Sequence, residues 1–75
     1  MLDQSLIEDA FYSGKRTLDV PFVINDAVLV LSGKHAGTEG AVISYDLDVA
    51  QVVYIVETGS GEDIRVTKTD IRLCD

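Results

Sequence analysis

The chain has 75 residues, 47% of them hydrophobic, with 13 acidic against 6 basic side chains and a formal net charge of −7. That length allows one modest core, and that hydrophobic content argues against global disorder. The acidic excess disfavours nucleic acid as a partner, because neutralising phosphates with Lys and Arg supplies most of the sequence-independent affinity.

Residues 3–13 predict a helix, with Leu2, Leu6, Ile7, Ala10 and Phe11 on one face. Asp3 or Ser5 suits its N-cap, Ser5 and Glu8 have capping-box spacing, Gly14 suits the position after its end, and Lys15 and Arg16 lie where the helix dipole favours cations. Residues 15–21 read as a linker ending at Pro21, which favours an extended approach. The division expected is a helix and linker over 1–19 and a β-barrel over 20–75.

From Phe22 the pattern is all β. Residues 22–24 read as a short strand or a lead-in, Asn25-Asp26 as a turn, and 27–32 and 40–45 as a strand pair joined through glycines. Asp46-Leu47-Asp48 reads as a polar turn, 50–57 as a third strand and Thr58-Gly59-Ser60-Gly61 as a hairpin loop. A fourth strand over 62–67, a short helical turn at Lys68-Thr69-Asp70 and a last strand at 71–73 complete the chain. The barrel segment is itself acidic, with Lys34, Arg65, Lys68 and Arg72 set against nine carboxylates.

Two strands are apolar on both faces. Val28 and Val30 alternate with Leu29 and Leu31, and Val52, Tyr54 and Val56 with Val53 and Ile55, yet one barrel interior takes only one face of each. The helix is the expected cover for the second face, with Phe22 beside it; losing the burial of Phe11 or Leu6 would cost about 2 kcal/mol each. Homodimerisation or a partner protein is the other way to cover it.

No reaction chemistry is visible. His35 has no second imidazole and reads as a solvent-exposed loop residue; Gly33-Lys34 is not a phosphate loop, since Val28 stands where the first glycine belongs and His35 where Ser or Thr belongs. Asp46 and Asp48 imitate the start of a calcium loop, but Ala50 and Gln51 break it. Cys74, the lone cysteine, excludes an internal disulfide and reads as a small, partly buried side chain or an inert thiol. No enzyme activity, cofactor or metal is expected. The longest apolar runs, 27–31 and 52–56, fall far short of the ~20 residues of a membrane span. Met1-Leu2-Asp3-Gln4 does not open a secretory signal, so a cytoplasmic protein with no membrane association is expected.

The spacing of Asp26, Val28, Val30, Gly33, Gly37, Gly40 and Val42 resembles the KOW motif of NusG-type transcription elongation factors and several large-subunit ribosomal proteins. The strand order after it resembles the SH3-like barrel that carries that motif. The resemblance implies a mainly β fold: a small five-stranded SH3-like barrel with one short N-terminal α-helix packed against it. It also implies that Gly33 ends the first barrel strand in a bend, and that Gly37 and Gly40 shape the loop and the start of the second. In ribosomal members that loop is rich in Lys and Arg and contacts RNA; here it reads Lys34-His35-Ala36 and Thr38-Glu39, so this chain resembles an acidic, divergent member.

The function expected is therefore a small non-enzymatic interaction module for a protein partner, with transcription or translation machinery as the implied setting. Such barrels bind through end loops or an aromatic groove, and Tyr12, Tyr45, Tyr54, Asp46 and Asp48 are the candidates to receive a basic or extended segment. For the tyrosines, barrel packing with the hydroxyl at the rim is the alternative. A nucleic-acid- or ribosome-binding protein would need Lys34, Arg65, Lys68 and Arg72 to gather on one face. A homo-oligomeric structural protein, joined through the second apolar faces, is the third alternative.

Overall fold

The computed structural model describes residues 4–18, 20–48 and 51–74. Helix α1 (Gln4–Ser13) buries Ile7, Ala10 and Phe11. Its end is fixed by two backbone bonds, Lys15 N–H to Ala10 O at 2.9 Å and Gly14 N–H to Phe11 O at 3.4 Å, with Gly14 at φ 77°. That is the Schellman arrangement, and it satisfies carbonyls that the last turn would otherwise leave open. Phe11 O also accepts from Ile24 N–H at 3.2 Å, which stitches the helix end to the approach to the sheet. Ser5 lies inside the helix rather than at its cap, while Leu2 and Asp3 fall outside the described residues.

The strands are β1 (Ala27–Val30), β2 (Glu39–Asp48), β3 (Gln51–Thr58), β4 (Asp63–Thr67) and β5 (Ile71–Leu73). They form one antiparallel sheet in the order β4-β3-β2-β1-β5. The protein is thus mainly β, with one short N-terminal helix. Residues 22–24 are a lead-in and not a strand, and Asn25 turns the chain at φ 70°. Strand β1 stops at Val30, short of residue 32, because the chain is drawn to the turn before β5: Leu31 N–H donates to Asp70 O at 2.6 Å and Ser32 Oγ to Asp70 Oδ1 at 2.7 Å.

Two sequence expectations need correction. Asp46, Leu47 and Asp48 are not a turn but the end of β2, paired with Val53, Val52 and Gln51; the ladder to β3 takes up the backbone groups that face β3, and the connection at 49–50 lies outside the described residues. Nor does the helix cover the outer face of the sheet. Ile7, Ala10 and Phe11 join the same buried cluster as Val28, Val30, Val42, Tyr54 and Val56, so the helix closes the inner face. Leu6 is 69% exposed, since it lies about a quarter-turn from the centre of the buried stripe. Val53 on the outer face is nonetheless buried; Asp46, its partner on β2, reaches diagonally across β3 to Arg65, the partner of Ile55 on β4, at 2.7 Å.

A β-bulge decides which way the end of β2 faces. Val42 pairs with Val56 but Ser44 pairs with Ile55, so Ile43 is the extra residue. One extra residue reverses the alternation of every side chain beyond it. Tyr45 and Leu47 therefore share the inner side with Val42, and Asp46 turns outward to Arg65.

Candidate functional site

All five aromatic residues of the chain form one connected cluster, graded from core to surface. Phe22 meets Tyr54 edge-on at 5.5 Å, Tyr54 stacks on Phe11 at 6.4 Å, Phe11 reaches Tyr45 at 4.8 Å, and Tyr45 reaches Tyr12 at 6.1 Å. Tyr54 is completely buried, whereas Tyr12 is 52% exposed. Tyr54 is thus removed from the group of surface candidates: its ring anchors the helix, and its hydroxyl makes no hydrogen bond of good geometry among the described residues. Burial pushes its phenol above the ordinary value, the backbone of Phe22 opposes that rise, and the Asp26 carboxylate adds to it.

The surface end of this cluster opens into a groove of about 480 Å³ between α1 and β2, lined by Gln4, Glu8, Tyr12, Tyr45, Asp46 and Leu47. Gln4, Glu8 and Tyr12 are spaced i, i+4, i+8 and form one wall, while the bulge brings Tyr45 and Leu47 to the other. Among the described residues no cationic side chain lines it, although Asp46 at its rim is paired with Arg65. Tyr45 is held above its ordinary pKa chiefly by burial, then by the facing Glu8 carboxylate and by Tyr12. Asp48 is exposed at the end of β2 and is not part of the lining. The structure therefore brings Tyr12, Tyr45 and Asp46 together, and adds Glu8, which sequence reasoning missed although its i, i+4 relation to Tyr12 was there to be read.

At the loop between β1 and β2, Lys34, His35 and Arg65 share a cavity of about 210 Å³ with Ser32 and Asp70. Arg65 and His35 both have acidic neighbours there. Arg65 is paired with Asp46, His35 Nδ1 lies 3.7 Å from Glu62, and Asp70 accepts from Ser32 and Thr67. His35 is half-buried rather than solvent-exposed, because it faces Glu62 across the opening. Lys68 sits in the exposed turn before β5. Arg72 lies on β5 opposite Leu29, at the far edge of the sheet from the strand that carries Arg65.

The motif residues all have packing or backbone roles. Val28, Val30 and Val42 are core. Asp26, buried, accepts from Val23 N–H at 2.9 Å and is paired with Arg16, an ion pair that ties the linker to the start of the sheet. Gly37, at φ 90°, donates to Val30 O at 2.7 Å and closes the loop in a backbone conformation that side chains resist. Gly40 is needed for a different reason: a Cβ there would stand 2.6 Å from Glu57 O. Residues 24–56 match the family model of the KOW motif. The match spans β1, β2 and most of β3 and carries the expectation read from the glycines and valines. KOW domains in general bind proteins or RNA. No curated protein and no solved structure matches the chain. Among the described residues no helix is long and apolar enough to cross a membrane, and no group of His, Cys, Asp and Glu is arranged to hold a metal ion.

Proposed function

We propose that this chain is a non-enzymatic interaction module that receives a basic segment of a partner protein in the groove between α1 and β2, within the transcription or translation machinery to which the KOW motif points. The observation that carries the reading is the groove itself: two tyrosine faces and the Glu8 carboxylate, with no cation in the lining among the described residues, while Asp46 at its rim is already paired with Arg65. Aromatic faces attract Lys and Arg, and a surface of −7 net charge raises the encounter rate with cationic partners. The motif's loop offers less for RNA, since it carries one lysine, and the nearby Arg65 is already paired with Asp46.

Fluorescence anisotropy with a labelled arginine-containing peptide and with a single-stranded RNA oligonucleotide, both at physiological salt, tests this. Saturable peptide binding that weakens at least tenfold in Tyr12→Ala, with no RNA binding, is the expected result. Micromolar, steeply salt-dependent RNA binding abolished by Lys34→Ala would replace the reading with the nucleic-acid one, for which the shared cavity of Lys34 and Arg65 is the supporting observation.

A further inference from the structure

Strand β2 is paired unequally on its two sides. Towards β3 its ladder runs to Asp48, but towards β1 it stops at Ala41, with Val42 finishing the contact through Asp26 O and Asn25 N–H. Beyond Val42, the backbone edge of β2 that faces away from β3 has no strand beside it among the described residues. An edge of this kind presents alternate N–H and C=O groups that an extended chain can pair with. Tyr45, Asp46 and Leu47 of this edge are also the β2 wall of the groove, and Glu8 and Tyr12 stand across from them.

We infer that the groove takes its partner as an added strand: an extended, arginine-bearing segment pairs antiparallel or parallel with β2 over residues 43–48, and its cationic side chains lie against Tyr12, Tyr45 and Glu8. The occupant follows from charge and shape. A second copy would bring the same acidic surface, with Glu8 and Asp48 exposed and Asp46 already paired with Arg65, whereas a basic strand meets that surface with opposite sign. Arginine suits the site better than lysine, because a planar guanidinium stacks on a tyrosine ring while bonding a carboxylate. Gln4, Glu8 and Tyr12 supply the side-chain selectivity, and the backbone edge supplies the register.

This inference rests on the groove reading above, and one experiment separates the two. Amide hydrogen exchange of the full chain is followed with a synthetic peptide of alternating Arg and Val, with the same peptide N-methylated at alternate residues, and with its Glu-for-Arg counterpart. The first peptide is expected to slow exchange at alternate amides within residues 43–48 by at least tenfold; the other two leave it unchanged, and Glu8→Lys removes the effect. Tyr12→Ala is a second variant, and both sites are exposed on α1, so neither depends on refolding a core. Equal binding of the N-methylated peptide, with Tyr12 perturbed but 43–48 unprotected, would overturn strand addition while leaving the groove as the contact surface. No binding of any peptide would overturn both. Concentration-dependent protection of 43–48 in the protein alone would assign the edge to a second copy and overturn the inference.

Discussion

The loop after β1 and the groove beside α1 lie at different parts of the same sheet and divide the molecule's features between them. The loop and the start of β2 hold the motif's glycines, and their chemistry is that of backbone geometry: a left-handed Gly37 and a close approach at Gly40, with Arg65 and His35 set beside carboxylates. The groove takes one wall, Gln4, Glu8 and Tyr12, from outside the matched segment, and it holds the accessible aromatic surface and the Glu8 carboxylate. What the difference teaches is that the signature residues specify the scaffold, while the surface available to a partner is made by the approach of a helix to a bulged strand.

If the helix is part of that scaffold, Phe11→Ala has the largest effect of all. Phe11 is fully buried and touches Tyr12, Tyr45 and Tyr54, so its truncation is expected to cost about 3–5 kcal/mol in urea unfolding. A loss below about 1 kcal/mol would mean that the helix is an appendage. Next comes Gly40→Ala, expected to cost about 1–3 kcal/mol, because the added Cβ meets backbone at Glu57 and the β2–β3 pair must spread. Wild-type stability in that variant would break the claim that the third motif glycine serves close approach.

Asp70 sharpens the loop side of the comparison. Thr67 N–H and the Ser32 hydroxyl hold its carboxyl below the ordinary 3.8, so its contribution is complete above that value and is lost as pH falls through the lowered one. Asp70→Asn should therefore cost about 1 kcal/mol at neutral pH, an amount kept small by partial exposure, and the difference from wild type should vanish well below pH 3.8. A difference that persists in acid would show that the turn depends on shape and not on charge. The smallest effects belong to Lys34→Ala and Leu6→Ala, both exposed and each expected to stay within about 0.5 kcal/mol of wild type by thermal unfolding.

Much of the fold was legible because its signals are local. Alternating valines, glycines at fixed offsets and the Gly14 stop name strands, a loop and a helix end without knowledge of the rest of the chain. The face of the helix was legible too in Ile7, Ala10 and Phe11, though not in Leu6, but its destination was not; amphipathicity says which side is buried and not against what. The bulge at Ile43 has no marker in the sequence, since the extra residue is neither glycine nor proline and only the register with β3 reveals it. With the bulge went the orientation of Tyr45 and the continuation of β2 through Asp46 and Asp48, whose carboxylates resemble a turn until the ladder supplies their partners. Tyr54 looked like Tyr45 in sequence, and only the packing of Phe11 and Phe22 on its ring separates the buried tyrosine from the accessible ones. The Arg16–Asp26 pair joins residues too far apart in sequence for any local pattern to announce.

Amide chemical-shift mapping with an arginine-containing peptide and, separately, an RNA oligonucleotide at physiological salt tests most directly where this molecule meets its partner. The expected result is peptide-induced shifts concentrated at Glu8, Tyr12 and Tyr45 to Leu47, with Lys34 and His35 unmoved by either ligand. Shifts centred on Lys34, His35 and Arg65 with RNA, and a silent groove, would contradict it.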